Sequence, residues 1–407
     1  MGRRTVGIVM NGVTGRMGRN QHLERSILAI RRQGGLELGG GEVLWPEPVL
    51  VGRDAARLRA LAEAAGLSRW TTDLDDALAD PENRVYFDAQ VTAARTPAMR
   101  AAIAAGKHVY CEKPTAETLA DALALARAAE AAGVAHGVVQ DKLFLPGLRK
   151  LRRVIDDGAL GRLLAVRAEA GYWVFEGDRQ PAQRPSWNYR QEDGGGIVLD
   201  MLPHWRYVLD HLFGEVRAVS CHAVTHLPER WDEAGRRYAV TAEDAAYTAY
   251  RLEGGVVATI NASWATRVYR DDLVAFQVDG TEGSAVAGLR SCRVQHRATT
   301  PRPIWNPDDP AATDYRGGWA EVPEHEPYDN GFKVQWEGFL RHAFGAERAT
   351  EAGAAGGGTT GEGLGATNAR PRYPHDLREG AKGVQLAELA LASWREGRWL
   401  EVPELPA

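Results

Sequence analysis

Two residues with acid–base chemistry, Asp200 and His204, stand four apart behind a run of three glycines at 194–196. An apolar pattern of helical period continues after them as far as Gly214, so both side chains should share one helix face. A carboxylate placed there can hold an imidazole in one tautomer, which is a common way to build a general base. Ordinary surface or capping pairs show the same spacing, so the rest of the chain decides between the two interpretations.

A lysine at the end of a short apolar segment is the third candidate. Residues 106–114 read GKHVYCEKP, and Glu112 and Lys113 follow the apolar centre of this stretch. Doubly wound sheets bind ligands at the carboxyl ends of their strands. An ammonium at that edge can stabilise an oxygen whose charge changes during a reaction. The alternative is a lysine that merely ends a strand before a helix begun by Pro114.

The first apolar segment, residues 5–10, runs into a glycine-rich loop and then into a helical pattern. Glycines recur there every three residues, which suits the pyrophosphate of a dinucleotide, because backbone N–H groups and a helix N-terminus can meet the phosphates. Val13 stands where the usual GxGxxG pattern has its first glycine, and a plain strand–turn–helix is the alternative. The predicted cofactor contacts in this loop are Gly12, Thr14, Gly15, Arg16, Met17 and Gly18.

The end of the second strand normally supplies an acid for the ribose hydroxyls of a dinucleotide. Gly52 occupies that place here, with Arg53 and Asp54 next to it. Arg53 would tolerate a 2′-phosphate, and Asp54 either reaches the ribose or caps the following helix. Both residues join the predicted cofactor contacts, and NAD and NADP both remain open.

Strands and helices alternate as far as residue 139, which predicts an α/β fold with a doubly wound parallel sheet of the Rossmann type over residues 1–145. A glycine- and proline-rich path at 34–48 is expected to lead to a short second strand at 49–51. Residues 146–407 predict an α+β domain with one large, open, mainly antiparallel sheet. Residues 351–370 are nearly all Gly, Ala and Thr and predict a flexible loop.

Composition argues against several classes of protein. No apolar run approaches the ~20 residues of a membrane span, and a net charge of −5 without basic runs argues against nucleic acid as a partner. The three cysteines lie far apart without metal-ligand spacing. We therefore expect a cytoplasmic protein that has no metal and binds neither membrane nor nucleic acid.

Residues 173–190 combine aromatic and arginine side chains. Flat rings and guanidinium groups suit a hydroxylated ring, including an anionic one. Because the chain has 12 tryptophans, chance placement is an equal alternative. The candidate substrate contacts are Trp173, Arg184, Trp187 and Tyr189, together with His204.

The order of these parts resembles the glucose–fructose oxidoreductase / inositol dehydrogenase / MocA family of NAD(P)-dependent oxidoreductases over almost the whole chain. The motifs that carry the resemblance are AGKHVYCEKP at 105–114, GALGRL at 158–163, GGGIVLDMLPHW at 194–205 and EDAAYTAYRLEGGVVATI at 243–260. The resemblance implies that Lys113, Asp200 and His204 are catalytic. His204 would exchange the hydroxyl proton, Asp200 would orient His204, and Lys113 would offset charge on the oxygen.

The resemblance also implies cofactor contacts from Thr92, Glu112 and Lys113, although residues 92–97 read TAARTP where the family usually has a TPN sequence. The implied function is hydride transfer between the nicotinamide of NAD or NADP and a hydroxyl-bearing carbon of a sugar or cyclic polyol. The implied assembly is a homodimer or homotetramer. One alternative is a redox-neutral, NAD-dependent glycosidase that acts through a transient keto-sugar on a neutral or anionic glycoside. The other is a non-catalytic regulator that senses a ligand and NAD(P).

Overall fold

The computed structural model of the protein describes residues 2–302, 306, 308, 314–345 and 372–406. The chain divides into two compact units, one comprising Met1–Asp141 and Asp329–Ala381 and the other Lys142–Tyr328 and Lys382–Ala407. This division differs from the predicted one, because residues 142–145 group with the second unit and residues 329–381 return to the first. The loop predicted at 351–370 lies outside the described residues.

The first unit is built on a seven-stranded sheet. Its strands are β1 (Gly2–Asn11), β2 (Leu36–Gly39), β3 (Glu42–Val51), β4 (Trp70–Thr71), β5 (Asn83–Asp88), β6 (His108–Cys111) and β7 (His136–Val138). They lie in the order β2-β3-β1-β5-β6-β7 with β4 beside β3. The β2–β3 pair is antiparallel and the other pairs are parallel. The predicted Rossmann-type sheet is confirmed.

Helices alternate with these strands. A π-helix (Gly18–Ile27) continues into α1 (Leu28–Arg32) and is followed by α2 (Ala55–Ala65), α3 (Leu74–Ala79), α4 (Thr92–Ala104) and α5 (Leu119–Ala131). The returning helix Gly331–Gly345, α8 in chain order, buries Trp336 and Phe339 beside Phe87 and Tyr110 of the sheet. This burial explains why residues far along the chain belong to the first unit.

The prediction of a connecting path at 34–48 before a short strand at 49–51 is wrong, since β2 and β3 form a hairpin there and β3 already begins at Glu42. Pro46 and Pro48 lie within β3, paired with β1. In the same strand the Leu50 N–H donates to the carbonyl of Arg69, on the side away from β1. Pro46 and Pro48 share the parity of Leu50, so their nitrogens face that same side. There β3 pairs with β2 only over residues 42–44 and with β4 over 50–51, so the prolines interrupt no ladder hydrogen bond.

The second unit holds a nine-stranded sheet and a separate hairpin. The sheet strands are β8 (Leu163–Ala170), β9 (Val216–Val224), β12 (Ala245–Leu252), β13 (Val257–Ser263), β14 (Val274–Gly280), β15 (Gly283–Ala287), β16 (Cys292–His296), β17 (Ala320–Glu321) and β18 (Leu400–Glu401). Their order is β17-β16-β15-β14-β8-β13-β12-β9-β18, and β8 and β13 are parallel while the other pairs are antiparallel. The hairpin joins β10 (Glu229–Trp231) to β11 (Arg237–Ala239). The predicted large, mainly antiparallel sheet is confirmed.

One face of this sheet packs on helices and the other is exposed. The helices are α6 (Pro146–Asp156), α7 (Ile197–Leu212) and the end of α9 (Leu377–Glu396), within which the two units divide. Val166 and Ala168 of β8 are buried with Trp205 of α7. Arg167 and Glu169, which alternate with them, are exposed. The sheet therefore holds α7, and with it Asp200 and His204, on its buried face.

Candidate active site

The glycine loop between β1 and the π-helix is packed closely enough that side chains would not fit. Gly12 has φ of +82°, and a Cβ there would lie 2.6 Å from the carbonyl carbon of Ala89. A Cβ on Gly18 would lie 2.7 Å from the Gly12 oxygen. Thr14, Gly15 and Arg16 at the tip are exposed. This tight turn, which leads into the N-terminus of a helix, fits the pyrophosphate of a dinucleotide.

A cleft beside this loop is lined by Thr14, Arg19 and Arg57, with the apolar surface of α2. Asp54 caps α2 by accepting a hydrogen bond of 3.1 Å from the backbone N–H of Arg57. Asp54 thus takes the capping role, one of the two predicted for it. Arg53 is exposed at the end of β3. Arg53 and Arg57 therefore follow the end of β3, where an acid is usual.

A buried ion pair follows β5, and the sequence did not predict it. Asp88 accepts hydrogen bonds from the Tyr86 hydroxyl at 2.7 Å and from Arg95 Nε at 3.0 Å. Arg95 is 2% exposed and also donates to the carbonyls of Gln90 and Pro114. Arg95 lies in α4 inside the TAARTP stretch, and Thr92 begins the same helix, half-buried. The segment that departs from the family pattern therefore holds residues 88–95 and the backbone beside Lys113 together.

The carboxylate of Glu112 is engaged inside the protein. Oε1 lies 2.8 Å from Nε2 of the fully buried His22, and Oε2 accepts the backbone N–H of Lys113 at 3.1 Å. Burial alone would raise the pKa of Glu112, but the His22 hydrogen bond and the charges of Lys113 and Arg95 outweigh it and lower that pKa. Glu112, predicted to contact the cofactor, thus binds its own chain through both carboxylate oxygens.

In the second unit the glycine run lets α7 begin in close contact with its neighbours. A Cβ on Gly195 would lie 2.5 Å from the Trp187 carbonyl oxygen, and one on Gly196 would lie 2.4 Å from Glu243 Oε1. The same oxygen of Glu243 accepts the Val198 N–H at 3.0 Å. A distant carboxylate therefore caps the helix, because no local side chain does.

His204 is buried on α7, and Tyr207 holds one of its ring nitrogens. The Tyr207 hydroxyl lies 2.7 Å from His204 Nδ1 and also accepts the backbone N–H of Lys142 at 3.2 Å. A hydroxyl oxygen has two lone pairs, so it can accept both N–H groups. In that arrangement Nδ1 carries the proton and Nε2 is basic, which is the tautomer a general base at Nε2 requires.

Asp200 forms an ion pair with Arg184. Arg184 Nη1 lies 2.8 Å from Asp200 Oδ2, and both side chains are 17% exposed. The guanidinium also lies over the rings of Phe175 and Trp264, at 4.7 and 4.9 Å from their centroids. This geometry holds the carboxyl group of Asp200 in a defined position one helical turn before His204. The predicted orientation of His204 by Asp200 stays a prediction.

The loop that carries Arg184 contains both exposed and buried aromatic residues. Trp173 and Trp187 are 48% and 36% exposed. Tyr189 is only 1% exposed, and its hydroxyl donates to the Phe175 carbonyl at 2.7 Å. The substrate contact predicted for Tyr189 is therefore corrected, because its ring lies in the core and its hydroxyl is bound within the loop.

A second buried ion pair ties this loop to the β10–β11 hairpin. Arg230 and Asp244 are fully buried and 2.8 Å apart. Arg230 also donates to the carbonyl of Glu176 and stacks on Tyr189. Because a buried pair that loses one partner is costly, this contact should keep the loop, and with it Arg184, in one place.

Among the described residues, no cluster of three His, Cys, Asp or Glu side chains could hold a metal ion. The helices in the same part of the chain are too short or too polar to cross a bilayer.

A glycine loop suited to a dinucleotide in the first unit, and a histidine and a carboxylate on one helix of the second unit, are typical of a nicotinamide-dependent oxidoreductase. Residues 7–140 match the model of the oxidoreductase family with an NAD-binding Rossmann fold, and residues 148–286 match the GFO/IDH/MocA C-terminal domain. The chain belongs to the GFO/IDH/MocA family.

D-xylose dehydrogenase of Paenarthrobacter nicotinovorans is 51% identical over 404 residues, which are 98% of each chain. 1,5-Anhydro-D-fructose reductase of Ensifer adhaerens is 30% identical over 62% of this chain and 70% of that protein. A structure of levoglucosan dehydrogenase in complex with NADH superposes with a TM-score of 0.74 and covers 99% of this chain and 100% of that chain. The two sequences are 22% identical, so this similarity concerns the fold. The predicted enzyme class, a nicotinamide-dependent sugar or polyol dehydrogenase, is confirmed.

Proposed function

We propose that the protein oxidises a neutral aldose, with D-xylose as the first substrate to test, and passes the hydride to NAD. The observation that carries this proposal is the full-length similarity, at 51% identity, to D-xylose dehydrogenase. The ion pair between Arg184 and Asp200 adds support, because a carboxylate already balances the charge of Arg184 that an anionic sugar would need.

His204 is proposed as the general base. Tyr207 holds Nδ1, so Nε2 takes the proton of the sugar hydroxyl while the C–H bond of the same carbon releases its hydride. Asp200, one turn earlier on α7, stabilises the imidazolium that forms. The C–O bond then becomes a carbonyl, and the proton and hydride account for both hydrogens lost from the sugar.

Lys113 is proposed to place its ammonium beside the reacting oxygen. As the hydroxyl proton leaves, negative charge develops on that oxygen, and a fixed positive charge stabilises it more than it stabilises the neutral ground state. Bound NAD supplies the hydride acceptor. The glycine loop at residues 12–18 would hold its pyrophosphate, and Thr92 and Lys113 are the further proposed contacts.

Arginines around the end of β3 support a proposal on cofactor choice. Arg53 and Arg57 stand near the place where an NAD-specific chain usually has an acid. We therefore propose that NADP also binds, with its 2′-phosphate against these guanidinium groups.

The exposed face of the large sheet supports the proposed homodimer or homotetramer. Tyr247 on β12 and Val257 on β13 share this face and are 41% and 49% exposed. Apolar side chains grouped on one sheet face suit a second copy of the chain. Light scattering of the purified protein should give a mass of two or four chains. A cytoplasmic location stays a prediction.

Three variants test the proposed catalysis. His204→Ala and Lys113→Ala should each lower kcat for D-xylose by about 10²–10⁴-fold, the usual size for general acid–base catalysis, and Asp200→Asn by less. His204→Ala should still bind NADH, as a fluorescence titration will show. A His204→Ala enzyme with the kcat of the wild type would refute the assignment.

A further inference from the structure

A chain of buried polar groups leads to Lys113 from the interior of the first unit. Trp336 Nε1 donates to His22 Nδ1 at 3.0 Å, and His22 Nε2 lies 2.8 Å from Glu112 Oε1. The other oxygen of Glu112 accepts the backbone N–H of Lys113. Trp336 and His22 are 0% exposed and Glu112 is 8% exposed. Trp336 and His22, more than 300 positions apart in sequence, are thus connected through Glu112 to the backbone N–H of Lys113.

The direction of these hydrogen bonds can be deduced. An indole N–H only donates, so His22 Nδ1 must be the acceptor and carries no proton. His22 is then neutral with its proton on Nε2, and it donates to the Glu112 carboxylate. In a protonated imidazole, Nδ1 would also carry a hydrogen, and it would face the N–H of Trp336 with no acceptor between them. The chain from Trp336 to Lys113 therefore runs in one direction, and each donor meets an acceptor.

Local structure brings His22 to this position. The segment Gly18–Ile27 is a π-helix, in which each turn is wider than in an α-helix, and the Ser26 hydroxyl donates to the carbonyl of Gln21, five residues earlier. The imidazole faces inward between Phe87 and Phe332, with ring centroids 4.3 and 5.2 Å away. π-Helical turns are costly and occur often at functional sites.

The other side of Lys113 is held as well. Arg95 donates to the carbonyl of Pro114, while its Nε pairs with the buried Asp88. Residues 112 and 114 are therefore each fixed by a buried group, and Lys113 lies between them. Burying an imidazole, a carboxylate and a guanidinium costs free energy that an apolar core would not. A function in holding Lys113 accounts for that cost.

We propose that His22, oriented by Trp336 and acting through Glu112, is a positioning residue for the catalytic lysine. This inference rests on the proposed role of Lys113. The Lys113 ammonium has to meet the oxygen on which charge develops, and a displacement of about 1 Å at such a group lowers rates by up to about 10²-fold. The hydrogen bond to Glu112 fixes the backbone of Lys113, and with it the position of Cα. The ammonium at the end of the side chain can therefore reach only a limited region.

Matched variants of the full chain test the proposal. His22→Leu and Trp336→Phe should lower kcat for D-xylose by about 10-fold or more, counted per NADH-binding site, with the sugar KM nearly unchanged. His22→Gln should recover most of the loss, because its amide can accept from Trp336 and donate to Glu112. Phe339→Leu is the control: it disturbs the same helix and aromatic cluster without touching His22, and it should keep the kcat of the wild type.

Two results would overturn the proposal: a His22→Leu enzyme with the kcat of the wild type, or a loss in Phe339→Leu as large as in His22→Leu. If His22→Leu does not fold, ¹⁵N NMR of the wild-type imidazole decides. A proton on Nε2 alone supports the proposal, and a protonated ring or the other tautomer refutes it. A Lys113→Ala enzyme that keeps its activity would instead refute the proposed function. If Lys113→Ala loses activity while His22→Leu keeps the kcat of the wild type, only the inference about His22 is rejected, and the proposed function stands.

Discussion

His204 and Tyr207, three residues apart on α7, are joined by a hydrogen bond of 2.7 Å between ring nitrogen Nδ1 and the hydroxyl. The backbone N–H of Lys142 occupies a second site on the same oxygen. When the hydroxyl accepts the Nδ1–H as well, Nε2 carries no proton and is the basic nitrogen that a general base needs. The sequence suggested Asp200 for this task, since four-residue spacing places side chains on one face, but three-residue spacing does so equally.

Tyr207→Phe tests this relationship. Without the hydroxyl, the buried Nδ1 loses its partner and the ring populates both tautomers, so kcat should fall by about 10-fold with little change in NADH affinity. The measurement is kcat as a function of pH for both enzymes. Tyr269→Phe, at a fully exposed residue, is the control. Equal profiles for Tyr207→Phe and the wild type would show that another group fixes the tautomer.

Arg184→Met tests how Asp200 is held. The ion pair with Asp200 and the stacking on Phe175 and Trp264 would be lost, so kcat for a neutral aldose should fall by about 10-fold or more. The ratio of kcat/KM between an aldose and its uronate should change little. An enzyme that prefers the uronate, and loses that preference in Arg184→Met, would show that Arg184 binds an anionic substrate.

Cofactor choice is tested by Arg53→Ala and Arg57→Ala. If either guanidinium meets the 2′-phosphate, its removal should weaken NADPH binding selectively by about 10-fold, the scale of one charge-assisted hydrogen bond, and leave NADH binding almost unchanged. Fluorescence titration of each protein with both reduced cofactors measures this. Parallel losses for NADH and NADPH would assign the arginines to the structure of α2, where Asp54 already caps the helix.

Glu112→Gln tests the buried carboxylate through the pH dependence of stability. The pKa of Glu112 is lowered in the folded protein, so its ionisation stabilises the fold above its unfolded pKa of about 4.3, and this contribution is lost as pH falls below that value. The stability difference between the wild type and Glu112→Gln should therefore stay nearly constant from about pH 7 to pH 5 and shrink as the pH falls below about 4.3. Urea unfolding measures it, with the exposed Glu63→Gln as control. A difference that does not depend on pH contradicts the lowered pKa.

Local patterns predicted much of the fold, and long-range partners account for what was missed. Period and glycine spacing identified β1, the loop at 12–18 and helix α7, because these signals lie within a few consecutive residues. Nothing near His22 in the sequence indicated Trp336 or Glu112 as partners, since only the folded unit joins them. Pro46 and Pro48 were assigned to the path before the second strand and not to the strand itself. A strand accepts them only because the edge of β3 that their nitrogens face has no neighbour there. Tyr189 was misassigned because aromatic loop residues look alike until burial is known.

The most direct test of the central claim mixes the purified protein with D-xylose and NAD and follows reduced cofactor at its absorbance band while the remaining sugar is measured. A dehydrogenase consumes one NAD for each sugar oxidised, so reduced cofactor should accumulate in proportion to sugar lost, and His204→Ala should abolish both changes. The same protein should release no aglycone from aryl glycosides. Aglycone release that needs only catalytic amounts of NAD, without accumulation of reduced cofactor, would contradict net oxidation and support the redox-neutral glycosidase.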